Sequence, residues 1–305
     1  MTTLSSSTPA ERPRAPLPVG RVIAWAGLGL MLLISVFPIF IVLKTALTNT
    51  RELFGEAASL WPAHPTLVNF ERVLGLLTPE QAQAAGGAGS SVNFLSAMKN
   101  SFVFTGLIVV FQTLFSAMAA YSFARLKFPG RDAIFTAFLI ALMIPGIVLF
   151  IPNFITIKNL GWLNTMQGMV APFLLMSPFA VFFLRQFFIS LPRETEEAAF
   201  LDGATPWTIF WRITLPMSQG PIITLSILTT LGMWNEFFWP FLVGKDDSTF
   251  TLPVALQFFK TQTPQGAPDW TGLMAGTFIA MLPVFALLLI MGRRVVESLA
   301  FSGAK

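Results

Sequence analysis

The chain has 305 residues, a mean hydropathy of +0.69 and only 11% charged residues. Because a soluble domain typically carries about 25% charged residues, this composition excludes an ordinary soluble protein and predicts a polytopic membrane protein. The net charge of +4 does not indicate a nucleic-acid partner, since membrane proteins gather Lys and Arg in their cytoplasmic loops. We therefore expect a lipid membrane as the environment and no nucleic acid as a partner.

The residue types that metal and redox chemistry need are nearly absent. The chain has no Cys and a single His, His64, which excludes disulfides, thiolate metal sites and two-His metal sites. The sequence contains no G-x-x-x-x-G-K-[ST] pattern, so a P-loop ATPase is excluded from this chain. We expect no catalytic residue, no metal and no cofactor within it.

The apolar runs predict the membrane spans. Residues 1–18, rich in Ser, Thr, Pro and Arg, are predicted to be disordered. Six runs follow, each near the ~20 residues that a helix needs to cross the bilayer, and they predict a transmembrane domain at 19–295 with a tail at 296–305. The first run is too long for a signal peptide and has no small-residue cleavage site, so we expect it to stay uncleaved. The runs lie near Val22–Leu43, Ser101–Tyr121, Ala133–Ile151, Gly168–Phe188, Pro221–Val243 and Gly272–Met291.

The positive charges predict the orientation of these spans. The long 44–100 segment and two shorter loops on its side carry few Lys and Arg, and the short connections on the other side carry many. Since short cytoplasmic loops are enriched in positive charge, both termini are predicted to be cytoplasmic and residues 44–100 to lie outside. The positive charges on the predicted cytoplasmic side are Arg12, Arg14, Arg21, Arg125, Lys127, Arg131, Arg185, Arg193, Arg212, Arg293 and Arg294.

The polar stretch at 191–218, between the fourth and fifth runs, predicts a helix, a tight turn and a second helix. The acidic residues at its start suit the exposed N–H groups of a helix N-terminus. Gly203 can adopt the left-handed conformation that ends a helix. Thr205 and Pro206 are typical of an N-cap followed by proline at the first helical position, and Pro216 is expected to end the second helix. An ordinary cytoplasmic loop with its charges in water is the alternative interpretation.

The spacing in this stretch resembles the EAA loop of ABC importer permeases: Glu-Ala-Ala, three residues, Gly, nine residues, Ile, one residue, Leu-Pro. The matching residues are Glu197, Ala198, Ala199, Gly203, Ile213, Leu215 and Pro216. From about Val22 to Lys305 the chain also resembles the MalG-type permease of maltose-class carbohydrate importers. The stretches that carry this second resemblance are Tyr121–Arg131, Asn164–Thr165, Trp234–Pro240 and Asp269–Gly276.

The resemblance implies an all-α membrane protein with the type I ABC importer permease fold, six transmembrane helices and a cytoplasmic coupling-helix loop. It implies that the matched residues, together with Asp202, couple the chain to a separate ATPase. The implied partners are a second permease subunit, two ATP-binding subunits that hold ATP and Mg, an extracytoplasmic solute-binding protein and a sugar. The implied location is a bacterial or archaeal cell membrane, where the chain forms half of a translocation pathway and is not itself an enzyme.

The fifth run holds the candidate substrate residues, which are Trp234, Asn235, Glu236 and Trp239. An ionisable group within a span is a functional candidate, and the neighbouring amide and indole rings suit hydrogen bonds and an apolar face for a sugar. Each has an alternative interpretation: Glu236 near the outer interface, Asn235 bonding across helices, and the two Trp residues as interfacial anchors.

Two alternative functions stay open at this stage. A secondary transporter needs internal repeats and midplane carboxylates, whereas the sequence shows no such repeat and Glu236 is the only acidic residue well inside a run. A structural assembly subunit without its own substrate site is the second alternative. The sugar, or a polyol in its place, is not identified. The chain ends at Ser302–Lys305, short of the Gly-Ala-x-Lys-Gly-like tail typical of the relatives, which leaves the contact of that tail with the ATPase open.

Overall fold

The structure is a computed structural model that describes residues 19–55, 59–87, 93–259 and 268–302, with side chains between 20 and 292. Within these ranges the chain forms helices and no strand, as the all-α prediction requires. The predicted disorder of residues 1–18 and the last residues of the tail, 303–305, lie outside the described ranges.

The helices vary widely in length, and several short ones follow breaks in the apolar runs. A 3-10 turn at Gly146–Leu149 and a π-helical segment at Phe210–Thr214 interrupt the α-helical series. The α-helices are α1 (Val19–Leu47), α2 (Val68–Val73), α3 (Pro79–Ala84), α4 (Phe94–Arg125), α5 (Arg131–Ala141), α6 (Phe150–Asn159), α7 (Met166–Leu174), α8 (Pro178–Ser190), α9 (Arg193–Leu201), α10 (Pro206–Ile209), α11 (Leu215–Met217), α12 (Gln219–Trp234), α13 (Phe238–Val243), α14 (Leu252–Phe258) and α15 (Trp270–Ser302).

Three described helices are long and apolar enough to cross a membrane: Gly20–Leu47 in α1, Phe94–Arg125, which is α4, and Trp270–Gly292 in α15. Two bent pairs raise the number to five if each pair is one span: α5 with the segment 146–159, and α7 with α8. The fifth predicted run is divided between α12, with 16 residues, and the short α13. Six spans therefore stay a prediction.

Prolines explain where these runs break. The helices on either side of the break that ends at Pro145 diverge by 96°, and α7 and α8, on either side of the break just before Pro178, diverge by 41°. Proline lacks an N–H and disfavours a helical residue before it. In the fifth run, a continuous helix would bring the ring of Pro240 against the carbonyl of Glu236 four residues earlier. Residues 235–237 are accordingly not helical.

α4 is the central helix, and it packs against α7, α8, α12 and α14. Its beginning lies in an apolar cluster where Phe94 meets Val73 of α2 and Ala275 of α15. Its end lies in a second cluster, where Tyr121 meets Leu184 of α8 and other side chains described below. The two ends of α4 therefore lie in two separate apolar clusters. A group of polar residues lies beside each cluster, one near α2 and one in the 191–218 stretch.

A buried ion pair joins α2 to the start of α15. The Arg72 guanidinium lies 3.0 Å from the Asp269 carboxylate, and both side chains are almost fully buried. Arg72 also donates to the side chains of Asn69 and Thr271 at 2.9 and 3.1 Å. Asn69 in turn donates to the carbonyls of Ala46 and Thr48, so the network fixes the end of α1 as well.

Candidate functional site

The first part of the 191–218 stretch folds as the residue types predict. α9 carries Glu194 and Glu196 in its first turn. Gly203 follows with φ of +81°, a left-handed conformation that glycine adopts without steric cost. Its N–H donates to the Phe200 carbonyl at 3.0 Å, and the Ala204 N–H donates to the Ala199 carbonyl at 2.9 Å. This pair of bonds is a Schellman motif, which satisfies carbonyls left over at the helix end.

The second part begins with the predicted cap and contains a wide turn that the sequence did not indicate. The Thr208 N–H donates to the Thr205 hydroxyl at 3.3 Å, and Pro206 is the first helical residue. A π-helical segment then leads into α11, which contains Pro216 and ends at Met217. Pro216 therefore does not end the helix as predicted: it is the second residue of α11, and only Ser218 separates α11 from α12. The wider π turn leaves room for a proline ring that has no N–H.

The matched residues divide into an anchoring set and an exposed set. Ile213 and Leu215, with Ala199, are half-buried against the cluster at the end of α4. Two unmatched neighbours, Ile209 and Phe210, are fully buried there, and the Phe210 ring lies 5.4 Å from that of Tyr121. The stretch is therefore packed on the bundle and is not a loose loop.

The exposed matched residues other than Pro216, together with the unmatched Phe200, Leu201 and Asp202, form what we call the loop tip, the end of α9 and the turn after it. Leu201 is 90% exposed, although leucine is normally covered, and Phe200 beside it is 49% exposed. Isolated exposed apolar residues are common, but neighbouring ones rimmed by charge are typical of interaction sites. The loop tip consists of Glu197, Ala198, Phe200, Leu201, Asp202 and Gly203, all exposed.

A buried ion pair below the loop tip is the part that sequence reasoning missed. Arg125, the last residue of α4, places its Nε 3.0 Å from Oε1 of Glu196, and the side chains are 5% and 9% exposed. Burial raises the pKa of the Glu196 carboxyl, and the Arg125 guanidinium opposes that rise. The sequence pattern predicts a topology role for Arg125 and indicates for Glu196 only a place among the charges at a helix start. Their separation of 71 positions gives no local signal that they meet.

The fifth-run candidates do not form one polar surface in this structure. Trp239 is fully buried, and its Nε1 donates to the Met169 carbonyl at 3.0 Å. Trp234 is buried too, and its Nε1 donates to the Ala280 carbonyl at 3.1 Å. Both indole N–H groups are therefore occupied by backbone carbonyls, and the two rings lie in separate apolar clusters.

The two polar candidates lie in the break between α12 and α13. Glu236 accepts the N–H of Trp239 at 3.1 Å and so caps the short helix α13. Asn235 is exposed, and its side-chain amide donates to the Leu231 carbonyl at 2.8 Å. With Trp234 and residues of α14 and α15, Asn235 lines a cavity of about 310 Å³. Among the described residues, none donates a hydrogen bond to the side-chain oxygen of Asn235, whereas the Glu236 carboxylate accepts the Trp239 N–H.

Replacing Asn235 by alanine tests whether the residue packs between helices. The residue is exposed and makes one local hydrogen bond, so we expect Asn235→Ala to change the free energy of unfolding by no more than about 0.5 kcal/mol. Trp239→Ala is the comparison, because emptying a fully buried indole site costs about 3–5 kcal/mol. Thermal unfolding of the purified protein measures both, and a large loss of stability in Asn235→Ala contradicts the exposed position.

The comparisons of this sequence with known families and proteins all find membrane components of transport systems. A family model for the "Binding-protein-dependent transport system inner membrane component" matches residues 87–300. The chain is 31% identical over 289 residues to the arabinooligosaccharides transport system permease protein AraQ of Halalkalibacterium halodurans, covering 93% of this chain and 97% of that protein. It is also 31% identical over 271 residues to the sn-glycerol-3-phosphate transport system permease protein UgpE of Yersinia enterocolitica, covering 88% and 92%.

Among solved structures, the chain resembles a bacterial ABC transporter involved in the import of the acidic polysaccharide alginate. The TM-score is 0.76 at 19% identity, and the match covers 90% of this chain and 96% of the other. At that identity the likeness shows a shared fold.

Proposed function

The chain belongs to the family of binding-protein-dependent transport system inner membrane components, and from this premise we propose that it is the permease subunit of an ATP-driven importer for a sugar or polyol. Two relatives at 31% identity support the substrate class, since AraQ is named for arabinooligosaccharides and UgpE for sn-glycerol-3-phosphate. Both kinds of solute carry more than one hydroxyl group. The chain forms half of the pathway and carries out no covalent chemistry.

The proposed complex contains a second permease, two ATP-binding subunits and an extracytoplasmic solute-binding protein. ATP and Mg are bound by the ATP-binding subunits, because this sequence has no P-loop. The family description, which names dependence on a binding protein, supports the extracytoplasmic partner.

The observation that carries the proposal is the loop tip. It joins an exposed apolar pair, Phe200 and Leu201, to the charges of Glu197 and Asp202 on a hydrogen-bonded turn. A separate ATPase is the proposed occupant of this surface. Closure of the ATPase dimer on ATP displaces the loop tip, and the spans packed on residues 199–215 move with it as rigid bodies. ATP must bind more tightly to the closed state, because only differential affinity shifts an equilibrium.

The proposed location is a bacterial or archaeal inner membrane with both termini cytoplasmic. Because the chain has no Cys, single introduced cysteines report orientation without background. We expect Thr195→Cys, exposed on α9, to react with a membrane-impermeant maleimide only from the cytoplasmic side. Glu80→Cys, exposed on α3, should react from outside. Labelling of Thr195→Cys by this reagent in intact cells contradicts the predicted orientation.

Uptake by the purified complex tests the function. The complex is isolated through a tag on this chain and reconstituted with its binding protein in proteoliposomes. The first probes are radiolabelled arabinooligosaccharide and sn-glycerol-3-phosphate. We expect their uptake to require ATP on the side of the membrane where the ATP-binding subunits lie. Leu201→Asp is the matched variant and should abolish uptake without loss of membrane insertion. Uptake driven by an ion gradient without ATP indicates a secondary transporter, and a complex with no uptake of any solute indicates an assembly subunit.

A further inference from the structure

One guanidinium group ties the end of α4 to two points of the 191–218 stretch. The Arg125 Nε lies 3.0 Å from the Glu196 carboxylate on α9. A terminal nitrogen of the same group donates to the carbonyl of Leu191 at 2.8 Å. Leu191 is the C-cap residue that follows α8, and α9 begins two residues later. Arg125 therefore holds the entry of the loop and its first helix from a single position.

This contact differs in kind from the rest of the packing between the loop and the bundle. The other contacts that the described residues show between 199–215 and the bundle are apolar, including the Tyr121–Phe210 ring pair. Apolar contacts are non-directional, so surfaces held by them can slide without losing much area. The hydrogen bond from the Arg125 guanidinium to the Leu191 carbonyl is directional. Sliding of α9 along α4 would also separate the charges of the buried Arg125–Glu196 ion pair.

From this geometry we infer that Arg125 and Glu196 are positioning residues that make α9 and α4 move as one body. The inference rests on the proposed function, because it concerns how displacement of the loop tip reaches the spans. α4 has 32 residues, a length of roughly 48 Å at 1.5 Å per residue. Motion delivered at Arg125 is thus carried to the other end of α4, where Phe94 packs against α2 and α15.

A distance measurement between α9 and the far end of α4 tests the inference. Spin labels are placed at Thr195→Cys on α9 and Leu95→Cys, which is 55% exposed in the first turn of α4. Pulsed electron–electron double resonance then gives the distance between the two labels in the purified complex, without nucleotide and with a non-hydrolysable ATP analogue. We expect the same distance in both states for the otherwise unchanged chain. In Glu196→Gln we expect the analogue to shift the distance by roughly 2–5 Å, the scale of helix shifts in switching proteins.

The matched control is Glu194→Gln, the same change in the first turn of the same helix at an exposed residue that has no described ion pair. It should keep the distance fixed. Transport per ATP hydrolysed should fall about tenfold in Glu196→Gln, within the usual range of coupling between two sites, and stay unchanged in Glu194→Gln.

A second variant separates positioning from folding. In Arg125→Met with Glu196→Leu, an apolar pair replaces the ion pair, and such replacements usually preserve stability. We expect this complex to assemble and to hydrolyse ATP, and its distance to shift with the analogue as in Glu196→Gln. A fixed distance in either variant, or a shifting distance in the unchanged chain, overturns the inference. If no ATPase co-purifies with the unchanged chain, the proposed function fails with it, and that outcome is seen before any label is added.

Discussion

We expect Asp269→Asn to lower the free energy of unfolding by about 3–5 kcal/mol, the usual result of removing one partner from a buried ion pair. Asparagine has nearly the same shape and keeps an oxygen for the Gly272 N–H, which donates to Asp269 at 2.8 Å. The helix cap of α15 is therefore retained. What the variant loses is the charge opposite Arg72, whose side chain is 4% exposed and is left without a counter-charge away from water.

The matched control for this variant is Asp132→Asn. Asp132 also pairs with an arginine, Arg131, at 2.9 Å, but its side chain is 78% exposed. Since exposed pairs contribute little, we expect no measurable change in stability. Thermal unfolding of the two variants in the same detergent gives the comparison. Equal stabilities for the two contradict the assignment of the Arg72–Asp269 pair as the tie between α2 and α15.

Gly203→Asp should insert and fold but uncouple ATP hydrolysis from transport. An added Cβ at Gly203 meets no atom within 4 Å, so the Cβ itself causes no clash. Its cost is conformational: at φ of +81° a residue with a Cβ is disfavoured by roughly 1–2 kcal/mol. The new carboxylate also adds charge to a loop tip that already contains Glu197 and Asp202.

Gly203→Ala separates the two effects, because it introduces the strain without the charge. We expect Gly203→Ala to keep part of the ATP-dependent uptake and Gly203→Asp to lose at least about tenfold, the coupling usual between linked sites. Uptake and ATP hydrolysis are measured on the same proteoliposomes. Near-normal uptake in Gly203→Asp contradicts a coupling role for the loop tip.

Local chemistry made the turn predictable. Gly203 and the Thr205–Pro206 pair each specify a backbone conformation through their own bonds, without help from distant residues. The structure shows the left-handed glycine and the Thr205 cap as expected. Proline chemistry also explains the breaks at Pro145 and Pro240, although a break in a run does not say whether its two halves belong to one span.

Long-range packing could not be predicted in the same way. Arg125 and Glu196 are both ordinary charges in sequence, and only the packing of α9 on the end of α4 brings them together. The indole rings of Trp234 and Trp239 were candidates for contact with a sugar because aromatic rings suit that role. Their burial depends on α15 and α7, which supply the carbonyls that their N–H groups meet.

The contact between the loop tip and an ATPase is the central claim, and site-directed photo-crosslinking tests it most directly. Leu201→Cys is labelled with a benzophenone maleimide in inverted membrane vesicles that contain the native complex, and the vesicles are irradiated. Leu76→Cys, at a similarly exposed leucine on the predicted outer side, is the control site and is labelled from the other face. We predict a covalent adduct between this chain and the ATP-binding subunit from Leu201→Cys and none from Leu76→Cys. An ATPase adduct from Leu76→Cys, or its absence from Leu201→Cys, contradicts the account.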